Sequence, residues 1–255
     1  MSALPTLFVS HGPPTLPFER TPVREALAAL GAAVGKPKAI LCVSAHWETA
    51  IPTLSTAERP ETIHDFSGFP DELYRLRYPA PGAPELAARA AVLLRQAGFA
   101  AAGEARGLDH GAWVPLLLMY PQADVPVTQL SLQTARGPAH HVALGRALKP
   151  LREEGVLLLA SGNANHNLRA LGRSPEPPAW ATEFEDWLVR TAARGDADGL
   201  ARFLEEAPQG RLNHPSDEHW LPLLVAAGAA DGEPGVPVAQ DWLYGALSMT
   251  SLRFG

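Results

Sequence analysis

The chain has 255 residues, 46% of them hydrophobic and 19% charged, with a formal net charge of −6. That length and balance support a packed core and exclude a disordered, highly charged chain. Net negative charge without a dense Lys/Arg run gives phosphate backbones and anionic lipid little to hold, so neither nucleic acid nor a membrane is an expected partner. No apolar run reaches the ~18 residues of a membrane helix, and Met1-Ser2-Ala3-Leu4-Pro5 lacks the charged-then-apolar pattern of a secretory signal, making the cytoplasm the expected compartment.

The first apolar run, Leu7-Phe8-Val9-Ser10, is β-prone and stops at His11-Gly12-Pro13-Pro14, which predicts a buried strand entering a tight loop. A helix is predicted over residues 22–34, with Thr21 as N-cap and Pro22 at its first position. A second strand at 39–44 encloses the only cysteine, Cys42, which has no disulfide partner and reads as a small core residue. The long loop expected over 48–84 carries His64, Asp65, Phe66, Phe69 and Tyr78, too aromatic a content for disorder, and predicts a lid or pocket wall.

A helix at 85–96 and an apolar stretch at 99–102 precede a Gly-flanked loop holding His110, and a Leu-rich helix follows. Next come a strand at 125–132, a helix at 139–152 with His140 and His141 on an exposed first turn, and a third buried strand at 156–160. Trp180, Phe184, Trp187, Leu188 and Thr191 recur at helical spacing as a core stripe. A final helix is expected to begin near Glu218, followed by strands at 236–238 and 248–254. This alternation predicts one α/β domain over 1–255, a mostly parallel (mixed) central sheet with helices on both faces.

Three of the buried strands run out toward a histidine, at Ser10-His11, Ser44-Ala45-His46 and Ser161-Gly162-Asn163-Ala164-Asn165-His166. Loops beyond the carboxyl ends of parallel strands converge on one crevice, so the three imidazoles are aimed at one place. Neutral imidazole is the commonest metal ligand. His110 is a candidate fourth member, and His214 is assigned to neither core nor site. Residue chemistry alone leaves a further ligand open among Asp217, Glu218 and His219. Two histidines with a carboxylate would indicate iron(II) and oxygen chemistry, whereas three or four histidines suit zinc as well.

Taken in order, several motifs resemble those of the class III extradiol ring-cleavage dioxygenases, in the DOPA 4,5-dioxygenase-like branch. They are Ser10-His11-Gly12-Pro13-Pro14, Ser44-Ala45-His46-Trp47, Thr62-Ile63-His64-Asp65-Phe66-Ser67-Gly68-Phe69-Pro70, Tyr78-Pro79-Ala80-Pro81-Gly82, Leu108-Asp109-His110-Gly111-Ala112-Trp113, Ser161-Gly162-Asn163-Ala164-Asn165-His166-Asn167-Leu168 and Glu218-His219-Trp220-Leu221-Pro222-Leu223. The resemblance covers nearly the whole chain. It implies a single α/β domain, one mononuclear divalent metal, iron(II) in active enzymes with zinc(II) as the alternative in isolated protein, and a catechol cleaved with O2. Carried over by position, His11, His46 and His219 would bind the metal. His166 would be the active-site base, close enough to serve as a fourth ligand. His110 would stabilise bound oxygen or donate a proton, and His64, Asp65, Phe66 and Tyr78 would form the substrate-side wall. The rival readings are a zinc-dependent hydrolase, against which no clear carboxylate base accompanies the histidines, and a non-catalytic binding protein of the same fold.

Overall fold

The computed structural model describes residues 3–172, 174 and 176–255. Its first half runs β1 (Thr6–Ser10), α1 (Pro22–Val34), β2 (Ala39–Glu48), β3 (Thr53–Ser55), α2 (Asp71–Arg75), α3 (Pro84–Gln96), β4 (Ala102–Glu104), α4 (His110–Met119) and β5 (Val127–Leu132). The second half runs α5 (Gly137–Leu148), β6 (Val156–Gly162), α6 (Ala179–Ala193), the short turns α7 (Ala197–Ala201), α8 (Phe203–Glu206) and α9 (Gly210–Asn213), then α10 (Leu221–Ala230), β7 (Gly235–Ala239), β8 (Trp242–Leu243), β9 (Leu247–Ser248) and β10 (Ser251–Phe254).

Eight strands form one mixed sheet in the order β4-β3-β5-β2-β6-β1-β10-β7. Its centre, β5, β2, β6 and β1, is parallel, while β3 and β10 run antiparallel to β5 and β1. Successive strand residues face opposite sides. Phe8, Leu41, Val43 and Leu158 therefore join the core beneath α3, α5, α6 and α10, whereas Leu7, Val9, Ile40, Cys42 and Leu159 pack toward α1 and α4. α10 is apolar on every side and every one of its residues is buried, because it lies between the sheet and α5. The chain is thus a single α/β domain with helices on both faces of the sheet. Among the described residues no helix is long and apolar enough to cross a membrane.

Several local expectations are corrected. The strand expected at 39–44 continues to Glu48, with a break in its register against β5 between Val43 and Glu48, so His46 lies inside an irregular strand end. The expected loop at 48–84 contains β3 and α2. His110 opens α4 instead of sitting in a loop, because the Asp109 side chain accepts from the Ala112 N–H and caps the helix. The last helix starts at Leu221, leaving Glu218, His219 and Trp220 in the preceding turn. His141 is fully buried, not exposed: its Nδ1–H donates to the Gly137 carbonyl at 2.8 Å and its Nε2 accepts from the Gln133 N–H at 3.2 Å.

Candidate active site

Parallel pairing sets Ser10 opposite Gly162 and Ser44 opposite Ser161, so β1, β6 and β2 finish at one level. His11 follows at once, His46 sits in the irregular end of β2, and His166 stands four residues beyond β6. The start of α4 adds His110 from one side, and the turn before α10 adds His219 from the other. Two glycines permit this crowding. A Cβ on Gly162 would lie 2.2 Å from the His219 carbonyl oxygen, and one on Gly111 would lie 2.3 Å from Ser44 Oγ.

Five imidazoles meet here. The His11 ring lies 5.0 Å from His46, 5.4 Å from His110 and 5.3 Å from His219, between centroids. His46 and His110 approach to 3.9 Å, and His166 stacks on His219 at 3.4 Å with 14° between planes. The tautomer of His11 follows from its neighbours. Ser161 donates its only hydroxyl proton to the Gly111 carbonyl, so its oxygen accepts from His11 Nδ1–H at 3.0 Å. This leaves the His11 Nε2 lone pair aimed at His46 Nε2, 3.2 Å away.

Carboxylates do accompany the histidines. Asp65 Oδ2 lies 2.9 Å from His110 Nδ1 and 3.6 Å from His46 Nδ1, and Asp65 Oδ1 accepts the His110 backbone N–H at 2.9 Å. Glu218 Oε1 lies 3.1 Å from His219 Nδ1 and 3.8 Å from His166 Nδ1. Burial would raise the Asp65 carboxyl, yet the His110 side chain and N–H, with His46, bring it down to about 2. Burial holds His11 and His219 well below the ordinary imidazole range, and neighbouring imidazoles add to the effect. Desolvation likewise takes His46 and His166 down to about 4. His11, His46, His166 and His219 are therefore neutral near pH 7, the form that ligates metal.

The ligating atoms of His11, His46 and His110 all fall within 4.8 Å of one another, as do those of His166, Glu218 and His219. Facing Nε2 atoms, one with its lone pair fixed by Ser161, form a donor set that fits a cation between them. The five histidines line a cavity of about 690 Å³ whose walls include Pro14, Phe66, Phe69, Leu168, Leu171 and Leu247.

The structure separates the remaining candidates. Phe66 lines the cavity, and Asp65 faces His110 and His46 from behind. His64 and Tyr78, expected in the substrate wall, turn away from it. His64 Nε2–H donates to the Leu76 carbonyl at 3.2 Å, and the buried Tyr78 hydroxyl donates to the Tyr120 carbonyl at 3.0 Å. Both pack toward α4: the His64 ring lies 5.8 Å from Trp113, and Tyr78 is buried with Leu73, Trp113 and Tyr120 in the core on that side of the sheet. His214 is a core residue, its Nε2–H donating to the Ala164 carbonyl at 3.0 Å among Phe184, Phe203 and Trp220. Sequence reasoning missed Asn163, Leu171, Tyr244 and Leu247 in the cavity. For Asn163 a signal existed, since it stands within the Ser161 to His166 motif.

A family model described as the catalytic LigB subunit of aromatic ring-opening dioxygenase matches residues 5–255. The chain belongs to the LigB family. It is 42% identical to a 4,5-DOPA dioxygenase extradiol of Beta vulgaris, over 98% of this chain and 96% of that one. It is 40% identical to the 4,5-DOPA dioxygenase extradiol of Escherichia coli strain K12, over 99% and 95%. The crystal structure of an uncharacterized protein from Escherichia coli K12 matches with a TM-score of 0.81 at 36% identity, covering 99% of this chain and 100% of the other. This LigB-family protein is an aromatic ring-opening dioxygenase of the class III extradiol type, in the DOPA-dioxygenase-like branch.

Proposed function

We propose that this LigB-family enzyme opens a DOPA- or caffeate-like catechol with O2 at one mononuclear divalent metal held by His11, His46 and His219. The observation that carries the reading is the convergence of neutral imidazoles, with the His11 Nε2 lone pair aimed inward, at the wall of an apolar cavity. Iron(II) is the expected metal for activity, with zinc(II) the rival occupant, and it would supply a path for electrons between ring and oxygen.

The chain's own groups supply position and proton handling. Glu218 stands on the Nδ1 side of His166, which leaves Nε2 to take a catechol hydroxyl proton. Burial keeps that imidazole unprotonated at neutral pH. His110, backed by Asp65, offers a second imidazole able to hold a proton and return it as the ring opens. Phe66, Phe69, Leu168 and Leu171 suit an aromatic ring and exclude water around it. The names of the relatives, 4,5-DOPA dioxygenases, support a catechol bearing an amino-acid side chain.

The test is anaerobic loading with iron(II), addition of L-DOPA or caffeate, then oxygen. Oxygen uptake with appearance of a coloured semialdehyde is expected, and no uptake with any catechol overturns the proposal. His166→Ala should lower kcat by about 10²–10⁴-fold with metal content unchanged. Unchanged turnover of bound catechol would remove His166 from the role of base.

A further inference from the structure

Asp65 and Glu218 occupy corresponding places on opposite sides of the histidine cluster. Each lies near the Nδ1 atoms of two adjacent imidazoles, a tilted pair beside Asp65 and a stacked pair beside Glu218. Asp65 Oδ2 serves His110 at 2.9 Å and His46 at 3.6 Å, in a ring pair 3.9 Å apart. Glu218 Oε1 accepts from His219 Nδ1–H at 3.1 Å and lies 3.8 Å from His166 Nδ1, in a ring pair 3.4 Å apart. In each pair one ring is a ligand and the other a proton-handling group. Neither carboxylate lines the cavity, and Glu218 instead borders a separate depression with Glu48, Thr134 and Arg211.

We propose that Asp65 and Glu218 form a matched pair of positioning residues: Glu218 fixes the Nδ1–H tautomer of His219 by a hydrogen bond, and both carboxylates carry, beside the Nδ1 sides of the ligand rings and outside the ligand sphere, the negative charge that an all-histidine ligand set lacks. The inference rests on the metal reading above. In a site of two histidines and a carboxylate, the anionic charge touches the metal. Here the ligands are neutral, and the charge stands behind them on two sides, hydrogen-bonded to His219 and 3.6 Å from His46. A carboxylate on the far nitrogen orients a ligand ring and raises its basicity, and losing such a partner costs roughly 10–100-fold in metal affinity. Asp65 is thereby reassigned from substrate contact to histidine support, and Glu218 from candidate ligand to the same support.

The experiment measures zinc affinity by chelator competition, and the absorption spectrum of the cobalt(II) form, for the wild type, Asp65→Asn, Glu218→Gln, His219→Ala and the charge control Glu48→Gln. Both test substitutions are isosteric, at side chains only 21% and 22% exposed, and melting of the chelator-treated proteins checks their fold. Should Asp65→Asn fail to fold, Glu218→Gln decides. The expected result is zinc affinity about 10–100-fold weaker for each test variant, with the cobalt coordination bands retained. Glu48→Gln should bind zinc as the wild type does, and His219→Ala should lose the cobalt bands. Affinities of both test variants within about twofold of the wild type overturn this inference alone. Loss of the cobalt bands in Glu218→Gln, as in His219→Ala, overturns it by making Glu218 a direct ligand. A wild type that takes up neither zinc nor cobalt overturns the metal reading and this inference with it.

Discussion

His141 and His214 are as buried as His11, but each commits its ring to the backbone, whereas the His11 Nε2 faces another imidazole nitrogen across 3.2 Å. His141 gives a prediction independent of the site. Burial takes it down to about 4 from its ordinary 6.5. Between those values the unfolded chain binds the proton and the folded chain does not, so stability is full above about 6.5 and falls as pH drops toward 4. The shift predicts that His141 alone removes about 2 kcal/mol between pH 7 and pH 5. His141→Gln keeps an acceptor for the Gln133 N–H and should flatten that part of the dependence. Urea unfolding of both proteins at the two pH values measures it, and equal slopes would reject the assignment.

Among the elements, α4 is held by Asp109, whose fully buried carboxylate joins three parts of the fold. Its Oδ1 accepts from Ser44 Oγ at 2.6 Å and the Ala112 N–H at 3.2 Å, and its Oδ2 from Gln129 Nε2 at 2.8 Å and Arg106 Nη1 at 2.9 Å. Asp109→Ala leaves the Ser44 hydroxyl and the Gln129 amide without a partner and the Arg106 guanidinium without its carboxylate, and should cost about 3–5 kcal/mol in chemical denaturation. A loss below about 1 kcal/mol would show that the network does not depend on the carboxylate. Local signals of this kind were legible where they act locally. Thr21 and Pro22 mark the start of α1, and the apolar runs at Leu7 and Ile40 mark β1 and β2. Gly111 beside His110 reads as a loop, but it is needed for the close approach of Ser44, a residue that sequence spacing does not bring near. Of the five converging histidines, His11, His46, His110 and His166 stand near Ser or Gly at element ends, whereas His219 is marked out from Asp217 and Glu218 only by the family resemblance. Their supports were not legible, since the Ser161 partner of His11 lies 150 residues away, and neither was the inward turn of Tyr78, whose hydroxyl partner Tyr120 lies 42 residues on.

At the scale of the molecule, the site sits where the parallel centre of the sheet ends and draws on β1, β2, α4 and the approach to α10. A metal bound there favours the folded state alone. At free zinc about 100-fold above its dissociation constant, stability should rise by about 2.7 kcal/mol. For a chain of this length that corresponds to about 5–10 °C in Tm, reversed by chelator in scanning calorimetry. An unchanged Tm would argue against a site formed by the folded chain.

The placement of β1 bears on how that state is reached. Thr6 pairs with Leu158 on one side and Phe254 on the other, so the strand leading to His11 finds both neighbours only across most of the chain. Closing loops of that size is slow, and His11, His46 and His219 belong to no common local unit that could assemble early. A cation therefore has nothing to grip until the slowest pairing is complete. It lengthens the lifetime of the finished sheet without hastening its assembly, so zinc should slow unfolding and leave refolding at its metal-free rate.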